Sequence, residues 1–469
     1  MLHANYLTPP MTTLFSGSAT SHFYAVRNDD TINKTPWQVL FLRIFSTFFN
    51  PVMLLYKKKK QGDISMQSIQ NIYKIGPGPS SSHTFGPMRA CQDSLSRYPQ
   101  ADDFHVTLFG SLALTGKGHL TDQIIEKTFF PKHCTITFDI KSECDHPNTM
   151  TIEALKDHKA LGKHTYISIG GGKILKDDER ASEESSIYPH NTMDEIQAYC
   201  RQHHLRLDKY IDQFEDDTLN SYMDKIFDAM LDCVNKGLNT IGKLPGSLEI
   251  DRVAFALNQS AHSCDDPIER KSLLLASYAY AASEENAGGG MVVTAPTMGS
   301  CGVLPSLLYH YYYDEQYPKD TLIQGLKVAG LIGNLIQHNA TISGAKAGCQ
   351  AEVGAACSMG AAFVSSCNFE NNQQIECAAE IGLEHHLGLT CDPVGGYVMI
   401  PCIERNAVAS LRSLDAARLA KYLRNVKKNR VSFDMVVKTM NLTGSKLPFE
   451  LKESALGGLA IVVPTKKNG

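Results

Sequence analysis

No two of the thirteen cysteines stand three positions apart, so the 469-residue chain holds no C-x-x-C pair. That absence excludes zinc ribbons, thioredoxin-like redox motifs and ferredoxin-type runs. The cysteine count is odd and the chain is far longer than a disulfide-stapled scaffold, which favours free thiols in a reducing cytosol. Net charge is nearly absent as well. The 45 basic and 49 acidic residues leave −4, with neither sign concentrated in the body of the chain. A nucleic-acid surface needs a basic face, so small molecules remain as the partners. No fixed-period repeat is visible, and the glycines of "LTGKGHLTD" (114–122) miss the dinucleotide-binding spacing. The longest apolar run, "VLFLRIFSTFFNPVMLLY" (39–56), is interrupted by Arg43, Asn50 and Pro51.

What is present reads as an ordinary globular protein of two or three domains, 43% hydrophobic and 20% charged. Residues 1–65 stand apart, with the single tryptophan (Trp37), the interrupted apolar run and "KKKK" (57–60). They read as an upstream extension, with native translation beginning at Met66; a membrane or organelle anchor is the other reading. From Met66 the pattern becomes regular. "MRACQDSLSRY" predicts an amphipathic helix, and "FHVTLFGSL", "CTITFDI", "NTMTIEAL" and "HTYISIGGGKI" alternate like strands. "DDERASEESSIYPHNT" (177–192) reads as a surface loop, and helical spacing follows. From about Ser247 the runs are rich in Ala, Gly and Ser, as in "GAKAGCQAEVGAACSMGAAFVSS" (344–366), which suits closely approaching buried helices. The expected fold is therefore two-domain: an N-terminal α/β (α+β) domain over 66–215, then a mainly α-helical domain over 216–469.

Three stretches hold candidate chemistry. "PSSSHT" (79–84) gathers Ser80, Ser81, Ser82, His83 and Thr84 on a loop between glycines, where backbone N–H groups and hydroxyls can converge on a carboxylate or phosphate. Taken alone, a polar turn before a helix explains it equally well. "LTGKGHLTD" sets Lys117 and His119 on a tight turn, and "DHPNTM" (145–150) holds His146 and Asn148 beside Pro147. The third stretch is cysteine-rich, six of the thirteen falling between Cys349 and Cys402. Cys349 lies inside a small-residue helical run next to Glu352. Cys391 and Cys402 sit eleven apart in "GLTCDPVGGYVMIPCIERNA" (388–407), beside Glu404-Arg405-Asn406. Spacing does not choose these thiols over Cys357, Cys367 or Cys377, and a free Cys is usually a small buried hydrophobe. "EENAGGGMVVTAPTMGSCG" (284–302) adds acids and an amide on a glycine-rich bend.

In chain order, "YKIGPGPSSSHTFGPMRA", "LTGKGHLTD", "HPNTM", "IGGGKI", "EENAGGGMVVTAPTMGSCGVLPSLL", "GCQAEVGAACSMGAA" and "EHHLGLTCDPVGGYVMIPCIERNA" resemble the iron–sulfur L-serine dehydratases, in the form that fuses β-type and α-type regions. Agreement over seven blocks is far more specific than any one of them. The resemblance implies that Cys349, Cys391 and Cys402 ligate a 4Fe-4S cluster with one iron left open. It also implies that Ser81, Ser82, His83, Thr84, His119, His146 and Asn148 face that cluster across a domain junction. His83 or His119 is then the expected base, with the Ser82 hydroxyl as rival, and Lys117 joins the substrate-binding set. The expected reaction is loss of water from L-serine, giving aminoacrylate and then pyruvate and ammonia. A cytoplasmic homodimer with no nucleic-acid or membrane partner is implied. Elimination from cysteine or threonine is the neighbouring reading. An electron-carrying or oxygen-sensing cluster is the reading of a different class, and four cluster thiolates would mark it. The chain departs from the family in residues 1–65, in having no regulatory domain between its halves, and in ending "PTKKNG" without the terminal cysteine that some relatives fold into the site.

Overall fold

The computed structural model describes residues 66–177, 186–426 and 429–464. Residues 1–65, where the extension and its apolar run were expected, lie outside the described residues. Among the described residues no helix is long and apolar enough to cross a membrane.

A five-stranded mixed sheet forms one layer, in the order β3 (His133–Asp139), β2 (Asp103–Phe109), β4 (Thr149–Lys156), β5 (Lys159–Gly170), β6 (Lys173–Lys176). Strand β2 runs parallel to β3, and the helices Gly110–Thr115 and Thr121–Phe129 lie on the crossover between them. Strands β4, β5 and β6 continue antiparallel. Alternation along β2 buries Phe104, Val106 and Leu108 against Ile125, Phe129, Met150 and Ile152. The register pairs Leu108 with Met150 and Thr149 with Ile167. One sheet edge therefore collects the end of β2, the start of β4 and the end of β5, which carry Ser111, Asn148 and Ser168. The Ser111 N–H donates to the Pro147 carbonyl at 2.7 Å and ties that edge together. The single strand expected through Ile174 is a hairpin instead, because Gly170, Gly171 and Gly172 all take positive φ.

The second layer is helical. Helix Ala355–Cys367 is buried along its whole length and packs against Lys319–Asn339, Asn372–Glu384 and Cys402–Val426. Residues before the sheet belong to this body, because Met66, Ile69, Ile72 and Tyr73 join its core and the Tyr73 hydroxyl donates to the Leu326 carbonyl at 2.7 Å. The chain then forms β1 (Ile75–Pro77), which pairs antiparallel with β7 (Met291–Val293). This ribbon pins the loop before the sheet to the helical side.

The Glu284-Glu285-Asn286 run, at the end of helix Pro267–Ala287, is the knot beneath that loop. Glu284 accepts from the Val253 and Ala254 N–H groups at 2.7 and 3.2 Å, at the start of helix Ala254–His262. Glu285 pairs with Arg252 and Lys236, both at 2.8 Å. Asn286 donates to the Pro79 carbonyl at 2.9 Å. Burial raises the Glu284 pKa from 4.5 to about 7 despite its two donors. A folded pKa above the unfolded one stabilises fully below about pH 4.5 and is lost as pH rises through about 7. Wild type should therefore lose, between those limits, up to about 3 kcal/mol of unfolding free energy that Glu284→Gln does not lose. Chemical denaturation of both proteins at a series of pH values measures the difference.

Candidate active site and metal centre

Between the sheet edge and the helical body lies a cavity of about 710 Å³. The serine loop enters it first. Residues Ser81–Phe85 form a single wide π-type turn capped by Ser80, whose hydroxyl accepts from the His83 N–H at 3.2 Å. Ser80, Ser81 and Ser82 line the cavity. The Ser81 hydroxyl accepts from the Met298 N–H at 3.0 Å, which leaves its own proton free to donate.

His83 and His119 stack with ring centroids 4.4 Å apart. Both ring nitrogens of His83 are engaged, Nδ1 with the Ser82 hydroxyl at 2.8 Å and Nε2 with the Ser111 hydroxyl at 2.9 Å. His119 differs. Its Nδ1 lies 2.9 Å from the Thr115 carbonyl. A carbonyl only accepts, so Nδ1 carries the hydrogen and Nε2 is a bare lone pair. That Nε2 is buried and has no hydrogen-bond partner. Burial lowers the His119 pKa to about 4, and burial plus the neighbouring His119 lowers that of His83, so both rings are neutral at physiological pH. The turn bearing His119 is fixed by the Thr84 hydroxyl, which donates to the His119 carbonyl at 2.7 Å.

The cysteines reach the cavity from the helical side. The continuous helix expected over 344–366 is broken: a short helix Gly344–Ala347 ends at Gly348 (φ 74°), and a π-type turn Gln350–Gly354 follows. The break turns Cys349 toward the cavity instead of leaving it inside a helix. Cys391 is gripped by the C-terminal segment, its N–H donating to the Leu451 carbonyl (2.8 Å) and its carbonyl accepting from the Glu453 N–H (2.7 Å). Cys402 opens helix Cys402–Val426. All three thiols line the same cavity as His119. What joins the two sides is a contact of glycines. A Cβ on Gly118 would stand 2.6 Å from the Gly396 carbonyl oxygen, so the His119 turn and the turn between Cys391 and Cys402 touch backbone to backbone.

The donor atoms of Cys349, Cys391 and Glu352 lie within 4.8 Å of one another. The Cys349 thiol and burial together raise the Cys391 pKa, while burial followed by Cys349 raises that of Cys402. Burial also raises the Glu352 carboxyl despite the Thr297 hydroxyl beside it. So many buried groups that would ionise to anions at one spot suit a bound cation, and three thiols suit a soft one. A counter-charge beside the thiols is Arg405. Burial disfavours its charge, but Cys349 and Cys402 more than compensate. Its guanidinium donates to the Thr390 carbonyl at 2.7 Å. Neighbouring Asn406 staples the Gly299–Gly302 bend to Cys402 by donating to both the Gly299 and Cys402 carbonyls at 2.8 Å.

His146 and Asn148 also line the cavity. His146 accepts at Nδ1 from the Asn148 N–H at 3.1 Å, and the Asn148 Oδ1 is buried without a partner. His83, Thr84 and Lys117 do not line it: His83 lies buried behind with both ring nitrogens bonded, the Thr84 hydroxyl serves the His119 turn, and Lys117 lies over the Phe138 ring. Cys357, Cys367 and Cys377 face the helical core, against Ser413, Thr321 and Asn429. Residues not foreseen as parts of the site are Ser111, Arg405 and Glu453. Arg405 was visible as a cation one helical turn after Cys402; Glu453, far along the chain in "LKESALGG", carried no signal. Replacing Arg405 by Met should slow alkylation at Cys402 in metal-free protein about tenfold, because the guanidinium favours the thiolate. Mass mapping measures this, with Arg418→Met as the unaffected control.

The serine dehydratase alpha chain family matches residues 141–460, and the serine dehydratase beta chain family matches residues 68–128. The chain is 38% identical over 454 residues to L-serine dehydratase 1 of Escherichia coli (strain K12), covering 85% of this chain and 99% of that protein. It is 35% identical over 455 residues to the L-serine dehydratase of Haemophilus influenzae, with the same coverage. The L-serine dehydratase of Helicobacter pylori (strain ATCC 700392 / 26695) is 36% identical over 450 residues, covering 84% of this chain and 98% of that protein. With both regions in one polypeptide around a cavity of thiols and histidines, this chain belongs to the serine dehydratase family.

Proposed function

We propose that the chain is an L-serine ammonia-lyase that removes water from L-serine, giving aminoacrylate, which hydrolyses to pyruvate and ammonia. The observation that carries this reading is the meeting, in one cavity, of the Cys349, Cys391 and Cys402 thiols with the unpartnered Nε2 of His119. The acid-forming donor set, with the Arg405 guanidinium beside it, fits a 4Fe-4S cluster held by those three cysteines. Such a cluster supplies, when bound, a Lewis acid with a coordination position that the protein leaves open.

The chain's own groups account for the rest. The substrate carboxylate is held by the hydroxyls of Ser81 and Ser82, in a cavity whose other lining residues include Arg89, Lys173 and Lys346. His119 Nε2 takes the Cα proton, because it is the bare nitrogen and its tautomer is fixed from behind by Thr115. His83, bonded at both nitrogens, buttresses that ring from its stacked position. A cytoplasmic homodimer follows from the family resemblance.

Anaerobic reconstitution with iron and sulfide should give protein that releases pyruvate from L-serine and loses activity on chelation. Activity that survives chelation and air, yet needs pyridoxal phosphate, would refute the proposal. His119→Gln should lower kcat by about 10²- to 10⁴-fold with iron content unchanged. Gly118→Ala, which wedges the two turns apart, should lower kcat/KM about 100-fold in a folded protein, checked by circular dichroism alongside the assay.

A further inference from the structure

An amino acid presents a charge opposite to its carboxylate, and something in the cavity must meet its ammonium. Among the described residues lining the cavity, the acids are Glu352 and Glu453. Glu352 is engaged on the helical side, beside the thiols of Cys349 and Cys391 and within reach of the Thr297 hydroxyl. Glu453, whose carboxyl accepts from the Ala345 N–H and lies near Glu352 and Cys349, also reaches the histidines. A carboxylate oxygen of Glu453 and ring nitrogens of His83 and His119 lie within 4.8 Å of one another, and the Glu453 side chain is 12% exposed. Its Oε1 stands 3.9 Å from His119 Nε2, too far for a hydrogen bond. The two groups thus flank a gap instead of bonding each other.

That gap has the dimensions the reaction requires. The hydrogen to be removed and the ammonium hang from the same carbon, with the C–N bond about 1.5 Å long. A base for the one and an anchor for the other must therefore be neighbours that do not satisfy each other. Resting on the reading of L-serine as substrate, we infer that Glu453 is the residue that recognises the substrate ammonium. Asn148 Oδ1 is also free in the cavity, but an amide oxygen is only a neutral acceptor, whereas an arriving ammonium favours the charged form of the Glu453 carboxyl. Glu453 is held for this work by its backbone. It takes φ 56°, and its N–H donates to the Cys391 carbonyl at 2.7 Å, so the ammonium anchor and a candidate metal ligand are placed by one short segment. The C-terminal stretch thereby takes part in choosing amino acids over hydroxy acids.

The test uses iron-loaded full-length protein and the variants Glu453→Gln and Glu453→Asp, with iron content and cluster absorbance measured on each. The probes are α-methylserine, which keeps the ammonium but has no Cα hydrogen to lose, and 3-hydroxypropionate, which lacks the ammonium. Glu453→Gln is expected to keep its iron, to raise KM for L-serine and the inhibition constant of α-methylserine about 10- to 100-fold, and to leave kcat little changed. Inhibition by 3-hydroxypropionate should not weaken, and Glu453→Asp should fall between wild type and Glu453→Gln. Equal weakening of both probes, a fall in kcat with KM unchanged, or loss of iron from both variants would overturn the assignment. Should the probes not inhibit, the KM-against-kcat split decides. Failure of wild type to release pyruvate from L-serine would instead overturn the parent reading, whatever the variants do.

Discussion

Two glycine-bearing turns touching backbone to backbone hold the site together. Gly118 precedes His119, and Gly396 lies between Cys391 and Cys402; a Cβ on Gly118 would collide with the Gly396 carbonyl oxygen. Only side-chain-free backbone closes to that distance, and only at that distance does the imidazole share a cavity with the thiols. The other devices keep these turns facing each other. The β1–β7 ribbon pins the serine loop to the helical body, Asn286 holds Pro79, and Asn406 ties the Gly299–Gly302 bend to Cys402.

The electrostatics follow from that closure. Bringing thiols, carboxyls and imidazoles out of water leaves them mutually unfavourable as ions, and the Arg405 guanidinium is placed to relieve the thiols. Burial drives the histidines neutral by the same physics, which makes His119 a lone pair and not a cation. A neutral imidazole beside thiols and carboxyls that suit a cation is the arrangement that the proposed proton abstraction calls for.

Much of the fold was legible from periodicity alone. Strands β2, β3 and β4 and the helices Gly86–Arg97, Met193–His203 and Thr218–Leu238 stand where apolar spacing puts them, within a few residues. The misreadings share one cause. Stretches "HTYISIGGGKI" and "GAKAGCQAEVGAAC" have the composition of a single strand and a single helix, yet glycines with positive φ break each of them beside the cavity. Composition reports which conformations a residue tolerates; tertiary contacts decide where that tolerance is used.

By itself the sequence determined the class of chemistry: its seven separated blocks pointed to the serine dehydratases, and its hydrophobic periods set a sheet layer before a helical one. It left Cys349, Cys391 and Cys402 indistinguishable by spacing from Cys357, Cys367 and Cys377, and His83 equivalent to His119 as a base. The surroundings that set these residues apart belong to the tertiary structure. A thiol's neighbours and a ring nitrogen's hydrogen-bond partner are set by segments far away in the chain, such as Leu451 on Cys391, Ser111 on His83 and Glu453 opposite His119. Local pattern carries no record of such contacts.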